Sequence, residues 1–353
     1  MTHGRTAEQE QFAASVHGLL SAADVPGAAR RWAAGDHAPG LALWRKLAGL
    51  GVTALAVPQR HGGLGAGFSG VVAACEELGH HAVPGPVAES VAAVPELITA
   101  LAGEQALAGE QPCAQWLAGL AAGDLLATLA LPPWLPYAAD AGPAGLILLA
   151  GPDAVWLAAP GARHRSVDPA RSLSEVFGGE MLARGPAATA AAGRALQAGA
   201  LACAAQLLGA GRALLEASVT HARQRTQFGR PVGSFQAVKH QLADVAIALE
   251  FARPLLDAAA VAADGSAGTH GTDTHNTGTA TRDVSAAKVA CTGAAQRAAR
   301  AALQVHGAIG YTQEHDLHLW LTKVRALAGA WGSQSEHRAR VMAAVADGGL
   351  AWS

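Results

Sequence analysis

The sequence predicts a mainly α chain (α+β class) in three parts. These are an N-terminal helical domain, a truncated middle β segment and a C-terminal four-helix-type bundle. Three observations carry this reading. Apolar residues recur at helical spacing through the first third of the chain. A short, proline-punctuated stretch then holds two brief apolar runs of strand length. Beyond it, residues 187–225 contain no proline, and a helix of that length would be about 58 Å long.

The elements follow in order. Phe12, Val16, Leu19 and Leu20 mark a first helix, and Trp44, Leu47, Leu50 and Val52 a later one that runs into Pro58 and the turn Gly62-Gly63-Leu64-Gly65. A helix is expected from about Ser69 to Gly79, ending Glu76-Glu77-Leu78-Gly79. Pro84-Gly85-Pro86 breaks the chain, and helices follow near 87–103 and 110–122. The β part has strands at Gly145–Leu149 and Val155–Leu157 around the turn 151–153, and Arg163 to Gly179 reads as turn-rich. Val238, Leu242, Val245, Leu249, Ala252 and Leu256 share one face of a helix from about 236 to 263. The Gly/Thr/His-rich stretch from Asp264 onward reads as a flexible inter-helix loop. Helices at about 283–306, 313–330 and 334–347 complete the bundle. The expected domains are 1–127, 128–183 and 184–353.

Composition excludes several classes. Of 353 residues, 51% are hydrophobic and 15% charged, which rules out disorder and a fibrous protein. Lys+Arg is 25 against Asp+Glu 27, so no basic surplus points to nucleic acid or an anionic membrane. Cys75, Cys113, Cys203 and Cys291 lie far apart without zinc spacing and read as buried free thiols, and no metal site is expected. The first residues hold no apolar signal core, and glycine, proline or charge interrupts the longest apolar stretches. A cytoplasmic protein without a membrane span is expected.

Two segments carry chemistry. One is Arg223-Gln-Arg225-Thr-Gln227-Phe228-Gly229-Arg230-Pro231-Val232-Gly233-Ser234-Phe235-Gln236, and the other Gln304-Val305-His306-Gly307-Ala308-Ile309-Gly310-Tyr311-Thr312. Both resemble the C-terminal domain of the acyl-CoA dehydrogenase family. Trp44, Gly51, Val57-Pro58, the Gly62–Gly65 turn and Glu76-Glu77-Leu78-Gly79 resemble that family's N-terminal helical domain. The likeness is strong from about 190 to 331, fair from 40 to 130 and poor from 132 to 180. It implies FAD, an acyl-CoA substrate and an oligomer. It also implies that these segments hold the ADP part of FAD across a subunit boundary, through Arg225, Gln227, Phe228, Gln236, Gln304, Val305, His306, Gly307 and Ala308. Ala308 stands where a glycine is more usual.

The residues suit that use. An Arg at a helix end can donate several hydrogen bonds to a pyrophosphate. Phe228 offers a flat face, Gln304 an amide, and Gly307 lets backbone approach a ligand closely. Arg225 alone also reads as a solvated helix-end cation, and Gln304 with Gly307 as simple helix termination.

The resemblance also implies α,β-desaturation of an acyl-CoA thioester, in which a carboxylate removes the α-proton and the β-carbon gives hydride to flavin. The usual glutamate position reads Trp331, and the alternative position on the first long C-terminal helix falls near Gly199-Ala200. Neither is an acid. The family's flavin-ring motifs of the middle domain are absent, with Pro132-Pro133-Trp134 following Ala127–Leu131. Val167-Asp168-Pro169-Ala170-Arg171 resembles the family's turn at the exit of the sheet, so the deletion is internal. The expectation is therefore the ADP-clasping subunit of a heteromer whose partner carries the base. Three alternatives stand beside it. One is a self-sufficient homotetramer with a relocated base among Glu314, Asp316 and Glu336. Another is a non-catalytic structural or regulatory subunit. The third is a metal-binding helical protein using His315 and His318, with His80, His81, His270 and His275 as further imidazoles.

Overall fold

The computed structural model describes residues 4–103, 110–267, 274–311 and 315–347. Helix α1 (Ala7–Ser21) starts with a capping box in which Thr6 and Gln9 bond each other's backbone N–H. Helix α2 (Val25–Ala33) is capped by Asp24, and α3 (Ala38–Gly49) has a proline in its first turn. Helix α4 (Gly67–His80) follows the glycine turn. A π-helical segment, Glu89–Ala93, leads into α5 (Val94–Gly103), and α6 (Glu110–Ala122) closes this helical part.

Strands β1 (Ala127–Ala130), β2 (Ala138–Ala139), β3 (Leu146–Ala150), β4 (Ala154–His164) and β5 (Leu173–Arg184) form one sheet in the order β1-β3-β4-β5-β2. Only β1 and β3 run parallel. The turn-rich reading of Arg163 to Gly179 is corrected here, because β4 runs to His164 and β5 begins at Leu173. The last six residues of β4 and the middle of β5 are exposed, so these stretches lack a buried alternating face.

Helix α7 (Pro186–Gln224) is 39 residues long and forms the spine of the bundle. By length and composition it could cross a membrane, but 89% of its most apolar window is buried inside the fold. It crosses α4 backbone to backbone: a Cβ at Gly79 would lie 2.1 Å from the Gln206 carbonyl oxygen, and one at Gly209 1.8 Å from that of Glu76. Helix α7 leads into a hairpin, β6 (Thr226–Gln227) and β7 (Arg230–Pro231). Then come α8 (Gln236–Ala267), α9 (Thr274–His306), α10 (Leu317–Gly329) and α11 (Gln334–Asp347).

The expected loop from Asp264 onward is also corrected, since α8 reaches Ala267 and α9 starts at Thr274. The cause is tertiary. Asp264 accepts hydrogen bonds from Phe68 N (2.6 Å), Ser69 N (3.4 Å) and Ser69 Oγ (3.2 Å), capping the start of α4 and extending α8 to reach it. The rest of that stretch, residues 268–273 with His270, lies outside the described residues. All four cysteines are buried free thiols.

Candidate functional site

The end of α7, the hairpin and the end of α9 meet around a cleft of about 460 Å³. Its walls include Arg225, Gln227, Gln304, Val305, His306, Gly307 and Ala308, so two segments 80 residues apart converge as the sequence reading required. Phe228 and Gln236 are not among the lining residues. Phe228 stands 91% exposed at the hairpin tip, and Gln236 is exposed at the start of α8.

Local chemistry explains each placement. Phe228 and Gly229 take φ of +52° and +75°, the conformation a tight two-residue hairpin demands. Val232 N donates to Arg225 O at 2.8 Å and folds the hairpin back onto the helix end. The Arg230 guanidinium stacks 4.2 Å from the Phe235 ring centroid, and Phe228 meets the same ring edge-on. Gly307, at φ +62°, ends α9 in the left-handed conformation that favours glycine. A Cβ there would meet no protein atom. The side chains of Arg225 and Gln304 make no hydrogen bond or ion pair among the described residues, and both are exposed.

Sequence reasoning missed His221 and Gln241 in the lining. His221 is four residues before Arg225 on a helix, so their shared face was available as a signal. Its ring lies 4.3 Å from that of His306, with His315 on the other side of His306 at 5.2 Å. His306 Nδ1–H donates to Ala302 O at 2.8 Å, which leaves Nε2 as an acceptor. Burial lowers the pKa of His306, and burial with the Arg225 charge lowers that of His221. The cleft therefore offers one free guanidinium, the free Gln304 amide, a glycine that leaves room for close approach, and neutral imidazoles. That donor set fits a diphosphate and its ribose.

At the expected base position the structure places an indole in a fitted hole. Trp331 is fully buried with φ +59°, and Gly332 follows at φ +94°. A Cβ on Gly199 would fall 2.3–2.5 Å from three Trp331 ring atoms. The two sequence positions that lack an acid are thus packed on each other. His337 Nε2–H donates to Trp331 O at 2.8 Å, and its Nδ1 accepts from Ser285 Oγ at 3.2 Å. Gly332 N donates to Trp134 O within the same corner, and the Arg340 guanidinium lies 5.0 Å from the Trp134 ring. Trp134, from the segment that replaces the missing motifs, therefore closes this corner.

Two of the three acids considered for relocation, Asp316 and Glu336, are otherwise engaged. Asp316 pairs with Arg30 at the start of α10. Glu336 accepts from Ser333 N (2.6 Å) and Ser333 Oγ (2.7 Å), a helix cap that lowers its pKa. Glu314 lies outside the described residues. The acid nearest the plug in chemistry is Glu89, which the sequence reading missed. It is buried, and burial raises its pKa against the pull of Arg171 at 3.7 Å and the Trp331 side chain. His315 and His318 do not face each other as metal ligands. His318 Nδ1–H donates to His315 O, and His315 Nδ1 accepts from Leu317 N.

Comparison with known proteins matches residues 6–124 to the acyl-CoA dehydrogenase N-terminal domain and residues 189–346 to the acyl-CoA dehydrogenase C-terminal domain. The chain is 31% identical over 326 residues to acyl-CoA dehydrogenase IpdE2 of Mycobacterium tuberculosis, covering 91% of this chain and 92% of that protein. Among solved structures, the Tcur3481-Tcur3483 steroid ACAD variant matches at TM-score 0.80 and 23% identity, covering 98% of this chain and 99% of its own. The ChsE4-ChsE5 complex of Mycobacterium tuberculosis matches at TM-score 0.78 and 24% identity, with the same coverage.

Proposed function

Because this chain belongs to the acyl-CoA dehydrogenase family, we propose that it serves FAD-dependent α,β-desaturation of an acyl-CoA as the ADP-clasping subunit of a heteromer. The partner subunit then carries the base. The observation that carries this reading is the Trp331 plug. Both positions where the base was sought are filled by an indole and the glycine that accommodates it, while the clasp cleft stays open. The names of the two solved structures, each joining two components, support a two-chain assembly.

In this reading Arg225 neutralises the diphosphate, Gln304 fixes its orientation, and Gly307 leaves room for its approach. Gln227, Val305, His306 and Ala308 line the adjoining ribose and adenine space, and Phe228 and Gln236 reach beyond the cleft toward the partner's share of the cofactor. Bound FAD would supply the two-electron acceptor. The chain divides for this purpose at 1–127, 128–183 and 184–353, the middle unit being the reduced one. The site is placed in a cytoplasmic enzyme.

The test is the visible spectrum, flavin content after denaturation and native mass of the chain purified alone and with a co-expressed companion dehydrogenase subunit. The expected result is a colourless chain alone and about half a flavin per chain in the complex. Stoichiometric flavin with acyl-CoA desaturation by the chain alone would overturn it.

A further inference from the structure

Away from the clasp, Glu77 and His80 of α4 and its C-cap residue His81 fall at i, i+3 and i+4. His17 of α1 comes down onto them. Each of the four side chains offers a ligand atom, and these atoms lie within 4.8 Å of one another. The three imidazole rings are in mutual contact, with centroids 4.8–5.2 Å apart. We propose that His17, Glu77, His80 and His81 form a binding site for a divalent transition-metal ion of the zinc type.

The hydrogen bonding without an ion is incomplete, and this points to a ligand. His17 Nδ1 faces both Glu77 Oε2 at 2.9 Å and His81 Nε2 at 3.2 Å. A proton on His17 Nδ1 must serve two acceptors at once. A proton on His81 Nε2 instead would leave His17 Nδ1 bare against a carboxylate oxygen. A cation accepted by all these lone pairs removes the conflict.

His80 is the third indication. Its Nε2–H donates to Glu216 Oε2 at 3.0 Å, and its Nδ1 is buried without a partner. A carboxylate holding one imidazole nitrogen while the other stays free is the arrangement that orients metal-ligating histidines. Nitrogen ligands with a single carboxylate suit zinc, copper, nickel or iron, and not calcium or magnesium.

The charge balance is compatible. Glu77 Oε1 is engaged by Arg212 at 2.9 Å, which leaves Oε2 turned to His17. The His81 ring lies 4.8 Å from that of His17 and 4.9 Å from that of His80, centroid to centroid. His17 is 43% exposed in its side chain, which gives an entry path from solvent. Because His17 lies on α1 and the other ligands on α4, the ion would pin the first helix to the core.

The test uses the tag-free full chain after chelator treatment, titrated with Zn²⁺ against a chromophoric competitor and with Co²⁺ by its visible bands. The expected result is one ion per chain, bound more than tenfold more weakly in His17→Ala and in His81→Ala. His318→Ala, outside the cluster, serves as the control and should bind as the parent does. Thermal unfolding of each variant without metal verifies folding, and the Zn²⁺-induced rise in Tm should vanish in the two cluster variants. No uptake by the parent chain at micromolar Zn²⁺, or equal uptake by the folded cluster variants, would overturn the proposal.

Discussion

Substituting Gly199→Ala tests whether the indole of Trp331 dictates residue 199. The new methyl would lie 2.3–2.5 Å from three ring carbons. The ring would have to retreat by about 1 Å to reach an ordinary carbon contact of ~3.5 Å. Trp331 is fully buried, so it has nowhere free to go. Overpacking of this kind costs about 1–3 kcal/mol. Alanine in place of glycine within a helix returns about 0.5–1 kcal/mol. The parent background should therefore lose about 1–2 kcal/mol. Trp331→Ala alone should cost about 3–5 kcal/mol through its cavity. Once the indole is gone, Gly199→Ala should stabilise by about 0.5–1 kcal/mol, because only the helix effect remains. The assay is urea unfolding of all four members of the double-mutant cycle, and the signature is a change of sign. If Gly199→Ala shifts the midpoint in the same direction in both backgrounds, the plug does not set residue 199 and the reasoning fails.

Other expectations can be checked more briefly. Arg225→Ala should weaken flavin retention about 10- to 100-fold in whichever assembly holds it, the scale of one hydrogen-bonded charge; Arg225→Lys should recover part of this, read by flavin release on dilution. Burial opposes ionisation of Glu76, but the Arg253 hydrogen bonds and the charges of Arg5, Arg253 and Arg212 bring its pKa down to about 2. Its folded value lies below the unfolded one, so its contribution, on the order of 3 kcal/mol, is present above about pH 4.5 and is lost as pH falls toward 2. Acid titration followed by circular dichroism should show a flatter profile in that window for Glu76→Gln. His337 is held to about 4, chiefly by burial. The unfolded chain takes this proton first, so stability should fall as pH drops from about 6.5 toward 4, and His337→Gln should reduce that slope in urea midpoints.

The sequence displayed its helices well because they are punctuated and periodic. Proline at the start of α7 and its absence thereafter bound that helix almost to the residue. The two segments that meet at the cleft were also legible, since each is a contiguous run of residues with distinctive chemistry. What escaped notice depends on contacts across the chain. The last six residues of β4 and the middle of β5 are exposed, and without a buried face a strand loses its period-2 signature. Helix α8 outruns its glycine-rich end because Asp264 finds the start of α4, 196 residues away. His17 joins Glu77 only through the packing of α1 on α4, 60 residues away in sequence.

The clasp and the plug belong to one continuous stretch of chain, yet they are chemically separate. Helix α10 runs between them, from just beyond Gly307 to just before Trp331, and its 13 residues alone span about 20 Å. An acid could therefore be exchanged for an indole at one end without disturbing the guanidinium and amides at the other. A chain that bound and reduced its own flavin would need both ends to be functional. A chain that only holds the ADP end for a neighbour needs one, and its other end is free to become core. In this protein that end has done so: the position expected of a proton acceptor is held by a side chain that cannot accept a proton, in a hole that glycine alone fits. In the proposed heteromer this subunit is relieved of the proton transfer, so the indole there can serve burial alone. The sign change expected at residue 199 and the flavin-free state expected of the isolated chain would be two readouts of the proposed division of labour.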